Sequence, residues 1–96
     1  INTVTIVNNN HCLAQGVRNL NIAYGSRDHA RKDECFAFRE TDFAAVARTF
    51  DCAGFMVEKP QDFRKAFAEA LASKVPAVID CKTEFAGQAP LPWVPA

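Results

Sequence analysis

The sequence predicts an α/β fold: a parallel sheet with flanking helices. Three observations carry that expectation. Val4-Thr5-Ile6-Val7 is an apolar, β-branched run of strand length. Two stretches, Phe43, Val46, Ala47, Phe50 and Phe63, Ala66, Phe67, Ala70, Leu71, repeat apolar residues at helical spacing. Short apolar runs, Phe55-Met56-Val57 and Val75 to Lys82, alternate with those helices. Strands that alternate with helices imply parallel pairing and right-handed crossovers.

The elements follow in order. Residues 3–8 form a strand whose apolar character suits a sheet covered on both faces. Residues 11–18 suit a short helix, weakened by Gly16. Residues 19–40 lack a clean period and read as a loop, with the mixed charges of 27–34 as a solvated stretch. A loop of that length in a small domain is often functional. Thr41 suits an N-cap, and Asp42 complements the positive end of the helix that follows. Gly54 closes that unit before the strand at Phe55. Pro60 suits the first turn of the next helix. The phenylalanines 43, 50, 63 and 67 are expected in the core. Asp80 and Glu84, near the end of the last strand, read as surface charge. Residues 1–84 form the domain, and 85–96 a proline-rich tail whose Trp93 is expected to dock on a neighbouring surface.

Composition narrows the function classes. Ninety-six residues make one small domain or part of a larger one. Eleven basic and eleven acidic residues cancel, which argues against nucleic acid or an anionic membrane as partner. No apolar run has transmembrane length. Cys12, Cys35, Cys52 and Cys81 form no Cys-x-x-Cys pair, so zinc has little support. Reduced thiols in a cytoplasmic protein are expected; two disulfides in a secreted domain are the alternative. The chain opens on Ile1, almost inside a strand, and reads as a fragment of a longer polypeptide. Phosphate-loop, His-Glu-x-x-His and nucleophile-elbow motifs are absent from the sequence.

The first strand runs into Asn8-Asn9-Asn10. In parallel sheets ligands sit at the carboxyl ends of strands. An amide oxygen there suits a hard cation such as Mg²⁺. The same residues also suit a simple turn, because asparagine bonds its own backbone and tolerates the left-handed region.

Val4-Thr5-Ile6-Val7-Asn8-Asn9 resembles the end of the thiamine-diphosphate motif, which opens with Gly-Asp-Gly and closes with Asn-Asn. Further matches follow in order: Tyr24-Gly25-Ser26-Arg27, the run 41–50, Val57-Glu58-Lys59-Pro60-Gln61-Asp62-Phe63, the run 66–71, and Val75-Pro76-Ala77-Val78-Ile79-Asp80-Cys81-Lys82. Over residues 3–84 the chain is similar to the diphosphate-binding domain of thiamine-diphosphate enzymes, the acetolactate synthase branch in particular. The resemblance implies a partial thiamine-diphosphate-binding, Rossmann-like fold. It also implies Mg²⁺ and thiamine diphosphate as cofactors, with Asn8, Asn9, Asn10, His11, Cys12 and Leu13 at the cofactor. The metal would take the Asn9 side-chain oxygen and the His11 carbonyl. A register with Asn9-Asn10 as the pair moves that carbonyl to Cys12. The His11 imidazole reads as a turn residue, though near enough to the cofactor to act on substrate protons; His29 has a weaker case.

The chain departs from the family where relatives place Gly-Met after the Asn pair; here Cys12-Leu13-Ala14-Gln15 stands. Neither Gly-Asp-Gly nor the family's activating glutamate lies within these residues. By resemblance, the whole enzyme decarboxylates a 2-oxo acid and joins it to a second carbonyl compound. A simple 2-oxo acid decarboxylase and a non-catalytic α/β interaction module are the alternatives. The implied partners are the remaining domains of the same enzyme and further copies in a homodimer or homotetramer. These 96 residues alone are expected to be inactive, and Asn9→Ala is expected to weaken cofactor binding and spare the fold.

Overall fold

The structure is a computed structural model and describes residues 1–25 and 32–84. The charged residues 27–31 with His29, the Ser26-Arg27 part of one matching motif, and the tail 85–96 with Trp93 lie outside the described residues. Six elements make the frame: β1 (Val4–Asn9), α1 (Ala14–Ala23), α2 (Phe43–Thr49), β2 (Ala53–Val57), α3 (Phe63–Ala72) and β3 (Ala77–Lys82). Two short 3₁₀ turns, Lys32–Cys35 and Pro60–Asp62, precede α2 and α3.

The three strands form one parallel sheet in the order β1-β3-β2. β3 is central, in register with Val4 to Asn9 on one side and Ala53 to Val57 on the other. Successive side chains of a strand point to opposite faces. Ala77, Ile79 and Cys81 face the α3 side, where they pack with Val57, Ala66 and Ala70. Asp80 faces α2, whose Phe43 N–H it accepts. The two helices therefore cover opposite faces, and the central strand is buried on both.

The core departs from the expected one. Phe50 is 76% exposed, and Phe43 and Phe67 are each 37% exposed. Alanines meet the sheet instead: Ala44 and Ala47 on α2, Ala66 and Ala70 on α3. Small side chains let each helix axis approach the strands, and Phe43, Phe50 and Phe67 are left partly exposed at the flanks. Phe63 packs against the core, as expected, and stacks on Phe67 with centroids 5.9 Å apart.

Several boundaries also move. α1 begins at Ala14 and runs through residues 19–23, which the sequence suggested as loop. Cys12 is unavailable to that helix because it pairs antiparallel with Ala37. Gly25, at φ +60°, ends α1 in the left-handed region. The cap of α2 is Asp42, whose Oδ1 accepts from Ala45 N–H at 2.7 Å; the Thr41 hydroxyl instead donates to Arg39 O. Gly54 lies inside β2, which starts at Ala53. β1 pairs with β3 alone among the described strands, so Thr5 and Ile6 are exposed where coverage on both faces was expected.

Candidate functional site

β1 ends at Asn9, and the chain then turns sharply. Asn9 Oδ1 accepts from His11 N–H at 3.3 Å, and Asn10 Oδ1 accepts from Cys12 N–H at 3.2 Å. These are consecutive Asx turns, the local bonding that asparagine favours. His11 sits at φ +55°, in the left-handed region. Across the turn, residues 36–38 run back against it. Leu13 N–H donates to Phe36 O and Phe38 N–H donates to His11 O.

A cleft of about 220 Å³ opens between these segments. Val7 and the run 8–12 form one wall; Phe38, Arg39, Thr41 and Phe43 form the other. The structure thus brings together Asn8, Asn9, Asn10, His11 and Cys12. Leu13 is outside the lining and 60% exposed. Arg39, on the opposite wall, also lines the cleft and carries no signal for the site in the sequence.

Asn9 is the anchor of the site and is 5% exposed. Its Nδ2 donates to Asp80 Oδ1 at 2.9 Å and to Thr41 O at 3.0 Å. Both partners are acceptors, so only the NH₂ end of the amide can serve them. The Asn9 oxygen is thereby turned to the His11 side. Asp80 is 0% exposed, which corrects its reading as surface charge. Its second oxygen accepts from Phe43 N–H at 2.8 Å. A charged residue inside the apolar run of a central strand was the available signal, because such a group is buried only with partners. Glu84 is exposed, as read.

The remaining strand-end groups are also engaged. Asn8 Oδ1 accepts from the Thr83 hydroxyl, and Lys82 forms an ion pair with Glu40 and lies 3.7 Å from Glu58. The Lys82 bond and its charge hold the Glu40 carboxyl below its ordinary value, with a smaller contribution from His11. The Glu40 bond in turn raises the Lys82 ammonium. Burial, and then the charge of Asp80, raise the Cys81 thiol. A second cleft, of about 360 Å³, opens beside Val57, Pro60 and Phe63, away from the asparagines.

The donor set fits part of a hard-cation site. An amide or carbonyl oxygen has two lone pairs, and Asn9 Oδ1 and His11 O each accept one protein hydrogen bond. Among the described residues there is no His, Cys, Asp and Glu cluster able to hold a metal. Neutral oxygens alone suit Mg²⁺ when phosphates and a carboxylate supply the rest of the shell. The His11 Nδ1 is buried without a partner among the described residues.

The family described as thiamine pyrophosphate enzyme, C-terminal TPP binding domain, matches residues 1–81. The chain belongs to this family. Its three-stranded parallel sheet with flanking helices is consistent with part of such a domain, and thiamine diphosphate is the cofactor the family binds. No curated protein and no solved structure matches the chain. Among the described residues no helix is long and apolar enough to cross a membrane.

Asn9 also has more structural work than the sequence indicated. Its NH₂ ties β1 to β3 and to the entry of α2, so its loss is expected to disturb the fold as well as the site.

Proposed function

We propose that this domain supplies the strand-end oxygens of a thiamine-diphosphate and Mg²⁺ site in an enzyme acting on 2-oxo acids. The observation that carries the reading is the Asn9 amide, pinned by Asp80 and Thr41 so that its oxygen is presented at the carboxyl end of β1. Asn9 Oδ1 and the His11 carbonyl would contact the metal, and the turn from Asn10 to Cys12 would shape the diphosphate pocket beside Arg39. Bound there, the cofactor supplies the carbanion stabilisation that such reactions require. The chain's own residues bind and orient it. Metal ligation needs a carboxylate, which the Gly-Asp-Gly half of the same motif would contribute.

The sequence resemblance favours acetolactate synthase-like carboligation, in a cytoplasmic homodimer or homotetramer. Product analysis with pyruvate separates this from simple decarboxylation, since acetolactate and acetaldehyde are distinct. The binding claim is tested by calorimetric titration of the native full-length polypeptide with thiamine diphosphate at fixed Mg²⁺. Asn9→Ala is expected to weaken binding by at least about tenfold, the scale of losing one ligand-shell group. Unchanged affinity in that variant removes Asn9 from the site.

A further inference from the structure

We propose that Asp80 is the positioning residue for Asn9: its buried carboxyl decides which end of the Asn9 amide faces the cleft. The inference rests on the reading of Asn9 as a cofactor-site ligand. An asparagine amide is nearly symmetric in shape, and its two ends differ only in hydrogen bonding. With an acceptor fixed at one end, the NH₂ is drawn there and the oxygen is left for the ligand.

Asp80 supplies that fixed acceptor for three reasons. It is 0% exposed on the central strand, so water cannot replace it. Its second oxygen is held by Phe43 N–H at 2.8 Å, which sets the plane of the carboxyl. Its first oxygen is 2.9 Å from Asn9 Nδ2. Thr41 O, at 3.0 Å, assists but is a single backbone acceptor at the start of a helix that Asp80 itself anchors. Such outer partners commonly orient ligand groups and change affinity without touching the ligand.

The chemistry gives a diagnostic pair. In Asp80→Asn, the new amide oxygen stays on Phe43 N–H and its NH₂ faces Asn9. Two NH₂ groups cannot bond, so Asn9 loses its buried acceptor and keeps its orientation only through Thr41 O and His11 N–H. Each turn of the loosened amide brings NH₂ in place of the oxygen at the cleft, where a cation is repelled. Adding Asn9→Asp restores complementarity: one new carboxylate oxygen accepts from the amide at 80, and the other faces the cleft. Thr41 O loses its donor in the pair, so the rescue is partial.

The experiment measures the Kd of thiamine diphosphate at fixed Mg²⁺ for the native full-length polypeptide and for N9A, D80N and the N9D/D80N pair. D80N is expected to weaken binding by about 10–100-fold, and the pair to recover most of that loss. A carboxyl with a merely structural role is not rescued by changing its neighbour. Wild-type affinity in D80N, or a pair no better than D80N, overturns the role of Asp80 while a weakened N9A leaves the cofactor-site reading standing. Unchanged affinity in N9A overturns that reading and this proposal with it. Should D80N fail to fold, the comparison moves to the pair against N9A, and a pair that binds no more tightly than N9A overturns the proposal.

Discussion

Replacing Gly54 by alanine places one methyl group between β2 and α2. Its Cβ falls 2.1 Å from the Ala44 carbonyl oxygen, 2.8 Å from that carbonyl carbon and 3.0 Å from the Ala44 Cα. All three are backbone atoms, so no rotamer change relieves the clash. α2 must retreat by about 1.3 Å to restore a contact of 3.4 Å, near the optimum for non-bonded atoms. That movement is opposed by the burial of Ala44 and Ala47 and by the Phe43–Asp80 bond. Overpacking alone costs about 1–3 kcal/mol. Stretching a hydrogen bond to a charged group adds about 1.5–3 kcal/mol if it breaks. A combined loss of about 2.5–6 kcal/mol is a large part of the ~5–15 kcal/mol that stabilises a typical domain. Gly16 provides the contrast. It is in α1, and an added Cβ meets nothing within 4 Å. Gly16→Ala should stabilise by about 0.5–1 kcal/mol through helix propensity. Urea unfolding at constant m-value reads both effects as midpoint shifts in opposite directions. A Gly54→Ala midpoint equal to wild type refutes the close-approach argument, as does a Gly16→Ala loss of similar size.

Asp42→Ala should cost about 1 kcal/mol through the lost N-cap, whereas Thr41→Ala should change little, because its hydroxyl bonds Arg39 O and leaves the helix N–H groups alone; equal losses in denaturant titration would contradict the assignment. Ile79 is 0% exposed in the core beside Ala70 and Val57, so Ile79→Val should cost about 0.5–1.5 kcal/mol and Ile79→Ala about 2–5 kcal/mol, with midpoint shifts in that order. Glu40 is held below its ordinary 4.5 by Lys82. A depressed carboxyl stabilises the fold above its unfolded value, and that contribution fades as pH falls through the lowered value. Glu40→Gln should therefore flatten the acid limb of the stability–pH profile slightly, since exposed pairs contribute little; superimposable profiles in acid would remove the pair from the account.

Most of the frame was legible because periodicity reports burial. The spacings of 43–50 and 63–71 gave two helices, and the apolar runs gave the strands between them. The same spacings misled about the core. A helix with both alanine and phenylalanine on one broad apolar face does not reveal which of the two meets the sheet, and here alanine does. Residue spacing starts α1 too early because the antiparallel pairing of Cys12 with Ala37 is non-local and leaves no mark on it. At the site, five of the six residues chosen from the sequence line one cleft, since a strand end followed by consecutive asparagines is a local signal. Arg39, Thr41 and Asp80 were missed because chain separation hides them: Asn9 meets Thr41 across 32 residues and Asp80 across 71.

The site and the packing of α2 are one construction. Gly54 lets Ala44 settle against β2, and Ala44 directly follows Phe43, whose N–H bonds Asp80. Thr41, two residues before Phe43, presents its carbonyl to Asn9. A shift of α2 away from the sheet therefore draws both Thr41 O and Phe43 N–H from their partners at once. The orientation of one amide at the end of β1 thus depends on the absence of a side chain in β2, on the far side of the central strand. Cofactor affinity should accordingly fall in Gly54→Ala even though residue 54 lines neither cleft. A Gly54→Ala protein that is markedly destabilised yet binds thiamine diphosphate and Mg²⁺ with undiminished affinity would show that the seat of α2 and the Asn9 amide are independent.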